Sequence, residues 1–388
     1  MNKKITLGLA ISLIAIASAV TFILTSFFSI QSFNKKLVDF NEKSAKYEKL
    51  NSLDTLVRDL YFGEIEEDQL SSGILKGYMN GIGDKYSRYL TADEYQEMLA
   101  EDNGMRVGLG ITVGIDESGY IVIGEILEKS PLADSDIKAG DIIVAVDGKD
   151  VLKEGYNAAV DAMKGEEGTD VRITIRRDGI DKAYTFKRTA IEIESVSYEM
   201  LDNYIGYIKI SSFKKNTPEQ FADALETLTS NSVKALIFDV RDNVGGLVTS
   251  LEKCVDPLLP EGVIANAVYK DNHEETLVYS DESEIEIPMV VLVNGNTASA
   301  AELFAASLKD FDKADIVGEQ TFGKGVMQSV YKLDDGSAVS VTVAEYKTTV
   351  SDCYNGIGIA PDHIVPTSDE DKTDLQLSKA IEVINELD

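Results

Sequence analysis

Along the chain the spacing of apolar residues changes character three times. From Lys35 to about Ala100 apolar positions recur every three or four residues, as at Tyr47, Leu50, Leu53, Leu56, Val57 and Leu60, which is the period of an amphipathic helix. A second helix is predicted from about Asp68 to Tyr78, followed by the glycine-punctuated turn "NGIGDKYSRYL". "TADE" at 91–94 opens a third, because a threonine hydroxyl and a glutamate three residues on satisfy each other's backbone amides. The apolar faces of such helices need a cover, which is either another of these helices or a second subunit, as a homodimer or larger ring.

Between about Gly104 and Thr189 the pattern turns to short β-branched runs with glycine turns: "GLGITVGI", "YIVIGEIL", "DIIVAVDG", "DVRITIRRDG" and "AYTFKR", with the helical insert "NAAVDAMKG". This describes a small, partly open β-barrel with helices, of about ninety residues. From Ile191 onward strands and helices alternate: "YIGYIKI", "TPEQFADALETLTS", "VKALIFDV", the loop "RDNVGG", "LVTSLEKCVDPLL" and "MVVLV". Alternation of this kind argues for α/β layering. The unbroken apolar runs "ALIFDV" and "MVVLV" suit strands covered on both faces. The fold class is multi-domain α/β: helices over 35–100, a β-rich domain over 101–190, and an α/β domain over 191–388 that ends in a helix.

A length of 388 residues suits two or three domains, each able to bury a core. The formal charge of -30 comes from acidic residues spread along the chain, so a phosphate backbone is repelled and nucleic acid is excluded as a partner. Cys254 and Cys353 stand in no metal-type spacing, so no metal or cofactor is expected; a single bridge and two free thiols both remain open. Lys3 and Lys4 precede a run that carries no charge from Ile5 through Asn34, and roughly 20 apolar residues span a bilayer as a helix. "ASA" at 17–19 imitates a signal-cleavage site, but the apolar stretch continues through Phe22, Ile23, Leu24, Phe27 and Phe28. The expectation is an uncleaved, single-pass anchor over 1–34, with the N-terminal lysines inside and the remainder on the extracytoplasmic side of the cell membrane.

Candidate chemistry centres on "VNGNTASAAELFAASL" at 293–308, a strand that runs into a helix with Ser299 at the joint. "SAAE" is itself a capping box. A serine there also lies beside unpaired helix N-terminal amides, where an oxyanion is stabilised. Only His273 and His363 could supply an imidazole; the first lies in the acidic "KDNHEETL" and reads as a surface residue, the second in "APDHIV" and reads as structural. A lysine can take the serine's proton instead if burial lowers its proton affinity. "GEQTFGKGVMQSVYKL" offers Lys324, with Gln328 four residues on. In a strand, 324, 326 and 328 share a face, so the Gln328 amide is expected to orient the amine without adding charge. "DVRDNVGG" at 239–246 follows a buried strand and ends in bare glycine amides that can donate to an oxyanion.

Two resemblances follow from these stretches. "VGLGI" followed by "SPLADSDIKAGDIIVAVDGKDV" resembles a PDZ domain of bacterial proteases. The resemblance implies that Gly108, Leu109, Gly110 and Ile111 offer backbone N–H groups to a peptide's C-terminal carboxylate, while the following strand pairs with the peptide. The motifs at 239–246, Asn294–Glu302 and 323–328, in this order after a PDZ segment, resemble those of the carboxy-terminal processing peptidases, or tail-specific proteases. That likeness implies a crotonase-like α/β protease core, with Ser299 as nucleophile, Lys324 as base and Gln328 as its orienting amide. Gly245 and Ala300 would be the oxyanion donors, and the substrates proteins with unstructured, apolar C-termini. Asp242, Val244 and Ala301 depart from the family's common asparagine, proline and second serine. The rival from another class is a non-catalytic scaffold that only binds protein tails; a small-molecule acyltransferase or amide hydrolase is a weaker one.

Overall fold

The computed structural model describes residues 47–351, 353–367 and 373–387, together with 8, 18, 20–22, 24–26, 28 and 44. Most of the apolar segment expected to form the anchor lies outside the described residues, and among the described residues no helix is long and apolar enough to cross a membrane. The chain divides into two compact units, residues 1–74 and 75–388. In the first, helical backbone over 47–60 leaves Leu53, Leu56, Val57 and Leu60 exposed. Arg58 there is bonded to Asp54 and Glu67.

In the second unit the capping box at 91–94 forms as its sequence asks. Thr91 Oγ1 accepts from Glu94 N–H at 3.3 Å, Glu94 Oε2 accepts from Thr91 N–H at 2.8 Å, and the helix Ala92–Asp102 follows. The β-rich region is an antiparallel sheet ordered Ile111–Ile115, Ile121–Ile126, Ile142–Val146, Asp170–Arg177, Ile180–Lys187, with a short Lys149–Asp150 strand beside the third. Its alternate positions, among them Ile121, Ile123, Ile143, Val171, Ile173 and Ile175, meet Leu132, Val151, Ala159 and Met163 in one core. The sheet has two ends, and Ile111–Ile115 is one of them.

The α/β region holds a sheet ordered Val196–Leu201, Ile205–Ile210, Ala235–Asp239, Met289–Val293, Ala314–Gly318, His363–Ile364. Every pairing after the first is parallel. Alternation along the strands divides the apolar runs between two cores. Phe238, Val291 and Val293 pack with Phe221, Leu251 and Phe304 from the helices Thr217–Ser230, Val248–Val255 and Ala300–Asp310. Ile237, Val290 and Leu292 pack with Ala380, Val383 and Ile384 of the terminal helix Leu375–Leu387. Both faces are therefore covered, which is why these runs are apolar up to Asp239 at the end of the first.

A second, antiparallel sheet is built on the long strand Ala338–Thr348. Val326–Lys332 lies along one side; Gly262–Tyr269 and Arg88–Leu90 share the other. The last of these brings a segment from far up the chain beside the stretch that carries Lys324.

Candidate active site

Ser299 sits where the buried strand Met289–Val293 gives way to the helix Ala300–Asp310. Its backbone is left-handed in φ, at 57°, with ψ of -120°, a conformation that costs a non-glycine residue about 1–3 kcal/mol and persists only where surroundings enforce it. The enforcement is visible. Thr297 Oγ1 donates to Val240 O at 2.9 Å and Ala298 N–H to Asn243 O at 2.9 Å. The Asn294 and Asn296 amides both donate to Asp242 Oδ1, at 2.9 and 2.8 Å, and hold that carboxyl below its ordinary range. These bonds stitch the serine loop to the 239–246 loop, whose own root is clamped where Arg241 grips the buried Asp239 through two nitrogens, at 2.9 and 2.6 Å. The same guanidinium reaches Asp374, just ahead of the terminal helix, at 3.0 and 2.8 Å.

Glu302, fully buried, ties the serine to the lysine. Its Oε2 accepts from Ser299 N–H at 2.9 Å and from Lys324 N–H at 2.8 Å. Its Oε1 accepts from Thr321 Oγ1 at 2.6 Å and Gly323 N–H at 2.7 Å. Ser299 and Lys324 thus share one carboxylate oxygen between their backbone amides. The sequence marked Glu302 only as the far end of a capping box; that it also receives 321–324 depends on a contact across chain positions that no local pattern encodes.

The Lys324 ammonium is pushed below its ordinary pKa, chiefly by burial and then by Arg88, while Glu302 and Asp84 oppose the shift. Its Nζ lies 5.0 Å from the centroid of the Tyr86 ring. Gln328 is engaged elsewhere: its Nε2 donates to Thr342 Oγ1 at 3.1 Å and, at 3.5 Å, to Val326 O. In this conformation the Gln328 amide is directed to Thr342 and Val326. The regular strand begins only at Val326, and the pairing slips between Met327 and Gln328, a bulge that upsets simple two-residue alternation. Burial raises the Tyr346 hydroxyl, with its contact to the Ser299 side chain opposing, so a phenol also faces the serine.

Gly245 lies against the joint. A Cβ on it would stand 2.9 Å from Ser299 Cβ and 3.0 Å from Ala300 N, and its φ is 102°, so only glycine fits. Ala300 occupies the first helical position, where amides lack an intrahelical acceptor. The two expected oxyanion donors are thus neighbours, but Gly245 N–H is already bound to Asn243 Oδ1 at 2.8 Å.

In the β-rich domain Gly108 closes the strand Met105–Gly108, and Leu109 is buried with its carbonyl accepting from Ser130 Oγ at 2.7 Å. Gly110 has a φ of 60°, and a Cβ there would collide with Ile191. Ile111 starts the strand at the sheet's end. Neither histidine approaches Ser299 by hydrogen bond: His273 meets Glu275 and His363 meets Asp315, each at 3.2 Å. Cys254 and Cys353 are both free thiols, which leaves no disulfide. Among the described residues no cluster could hold a metal ion.

Comparison with known proteins bears on this geometry. Residues 204–365 match the model of peptidase family S41, and residues 122–177 that of the PDZ domain. The carboxy-terminal processing protease CtpA of Bacillus subtilis (strain 168) is 32% identical over 369 residues, spanning 93% of this chain and 77% of that protein. The carboxyl-terminal-processing protease of Synechocystis sp. is 32% identical over 291 residues, spanning 73% and 68%. A solved photosystem II D1 C-terminal processing protease aligns over 84% of this chain and 88% of its own, at 26% identity and a TM-score of 0.48.

Proposed function

Because the chain belongs to peptidase family S41 and is a serine protease of the carboxy-terminal processing kind, we propose that Ser299 is its nucleophile and Lys324 its general base. In this reading the neutral Lys324 amine takes the Ser299 hydroxyl proton as Oγ bonds to the scissile carbonyl carbon. The oxygen of that carbonyl takes up negative charge between the N–H groups of Gly245 and Ala300. The ammonium then returns the proton to the leaving amine, and water hydrolyses the acyl-enzyme. Gln328 turns from Thr342 to Lys324 when the amine is in use.

The observation that carries the assignment is the shared Glu302 oxygen, which holds the Ser299 and Lys324 amides within two hydrogen-bond lengths of one another. The depressed proton affinity of Lys324 is in keeping with a base. An inert scaffold is the weaker reading, since a strained serine and a half-buried lysine with lowered proton affinity both cost stability that tail binding alone does not require.

The finer assignments complete the proposal. The core of 191–388 is crotonase-like, and 101–190 is a PDZ domain whose Gly108–Ile111 loop and open strand edge take the substrate's apolar C-terminus. That domain either delivers the tail or gates the site. The apolar residues 5–34 anchor the chain with its catalytic part outside the cytoplasm, and the exposed helical face over 47–60 pairs with a second copy.

Cleavage of an unstructured protein such as casein by the portion from Lys36 onward tests the assignment, using wild type, Ser299→Ala and Lys324→Ala between pH 6 and 10. Loss in both variants, with wild-type rates that climb as an amine deprotonates, is the expected result; a Lys324→Ala protein that cuts as fast as wild type overturns it. Deleting 104–189 separates the two roles of the PDZ domain: basal cleavage rises if it gates and falls on tailed substrates if it delivers.

A further inference from the structure

We infer that Tyr86, from the turn between the helices Glu67–Asn80 and Ala92–Asp102, is a positioning residue for the base, its ring face receiving the Lys324 ammonium. The inference rests on the reading of Lys324 as base and extends the site to a segment outside the S41 match at 204–365. The Lys324 Nζ stands 5.0 Å from the ring centroid, inside the range in which an aromatic quadrupole attracts a cation.

The backbone that carries the ring is held firmly. Asp84 Oδ1 accepts from Tyr86 N–H at 3.1 Å, and Asp84 Oδ2 from Ser87 Oγ at 2.5 Å. Ser87 Oγ in turn accepts from Thr342 N–H at 3.0 Å. From Arg88 the segment continues as a strand, in register with 338–340. Thr342, the residue that fixes Ser87, also takes the Gln328 amide, so the platform under Lys324 and the amide near it hang on one strand. The Tyr86 hydroxyl is enclosed and has no hydrogen-bond partner among the described residues. The phenol's polar end is therefore not what the fold uses; its face is.

A ring does for a lysine base what a carboxylate cannot. A carboxylate at this distance would hold the ammonium so strongly that the amine would rarely be free. The weaker attraction of a quadrupole stabilises the ammonium that forms when Ser299 gives up its proton, yet leaves the amine available beforehand. The charges that face Lys324 are Arg88 and Asp84 from the same segment and Glu302 from the nucleophile helix. Lys85 shares the Tyr86 ring at 4.7 Å and also stands over Phe322.

The test reads the lysine itself. Lys324 is titrated by NMR of ¹³C-dimethylated lysines in the full chain bearing Ser299→Ala, assigned with Lys324→Arg, and the acid limb of kcat/KM is followed in the Ser299 enzyme. Tyr86→Leu removes attraction for the charged form, so the titration and the limb both move to lower pH by about 0.5–1 unit. Tyr86→Phe keeps the ring and keeps the titration in place. Lys85→Gln, which removes the other cation on the ring, is run beside them to separate its charge from the ring's effect. An unmoved titration in Tyr86→Leu, or an equal displacement by Phe and Leu, overturns the inference. Should the Leu protein fail to fold, Tyr86→Trp, whose face attracts cations more strongly, must raise the titration; no rise also overturns it. If the titration moves while the acid limb does not follow, the ring contact stands and it is Lys324 as base that falls.

Discussion

The two halves of the candidate site are held very differently. On the nucleophile side the backbone is over-determined: a strained serine, two asparagines on one aspartate, and a buried glutamate that gathers the amides of 299, 323 and 324. On the other side the groups proposed to act rest on other partners. Lys324 lies on an aromatic face, Gln328 on Thr342, and Gly245 N–H on Asn243. The contrast teaches that the fold preorganises the chain path and leaves the last atoms to rearrange by side-chain rotation and one peptide. Preorganised backbone is the larger part of what oxyanion and nucleophile geometry require.

The strongest way to break the contrast is Glu302→Leu. It strands the amides of Ser299, Gly323 and Lys324 and the Thr321 hydroxyl in a dry interior, at about 1–3 kcal/mol for each buried group left unpaired. Chemical denaturation should report a loss above about 4 kcal/mol, and casein cleavage should vanish with the fold; Glu302→Gln should fall between.

Ser299→Gly separates what Glu302→Leu confounds. Cleavage should drop at least about 10³-fold, while thermal unfolding shows a gain of about 1 kcal/mol from relief of the positive φ. Lys324→Met should also abolish cleavage while raising stability by about 1 kcal/mol, as relief of a strained functional group commonly does. The sign follows from linkage. The folded-state pKa of Lys324 is depressed, so the unfolded chain binds this proton more readily; the lysine subtracts stability at neutral pH, and the penalty fades as pH rises between the folded and unfolded values. Comparing wild-type and Lys324→Met unfolding at pH 7 and above pH 10 should show the gap closing. The smallest effect belongs to the adjustable half: Asn243→Ala frees Gly245 N–H and should raise basal cleavage a few-fold, at a cost of about 1–2 kcal/mol in stability from the stranded Ile210 carbonyl.

Much of this was legible in the chain. The strand-to-helix joint at Ser299 and the glycines around Lys324 were readable as local pattern, their proposed roles came from the resemblance of the ordered motifs, and the covered strands showed as long apolar runs. The capping box at Thr91 was readable because every partner lies within one helical turn. Tyr86, Thr342 and Asp84 were not, because the pairing of Arg88 with Ser340 spans most of the chain and leaves no periodic trace. The Thr342 contact of Gln328 was not readable, since a bulge is a property of two strands together. Glu302 was seen in its local role and missed in its distant one.

The bond from Gly245 N–H to Asn243 Oδ1 has a meaning in populations. The next peptide along is anchored, Phe213 N–H donating to Gly245 O at 3.0 Å, and the Val244 side chain is 70% exposed. Turning the 244–245 peptide over therefore exchanges essentially one hydrogen bond, worth about 1 kcal/mol net, or a ratio of about five to one. If Gly245 and Ala300 are the oxyanion donors proposed above, such an enzyme idles instead of locking: a developing oxyanion that binds those amides draws the peptide over, and the resting state is a reservoir rather than a barrier.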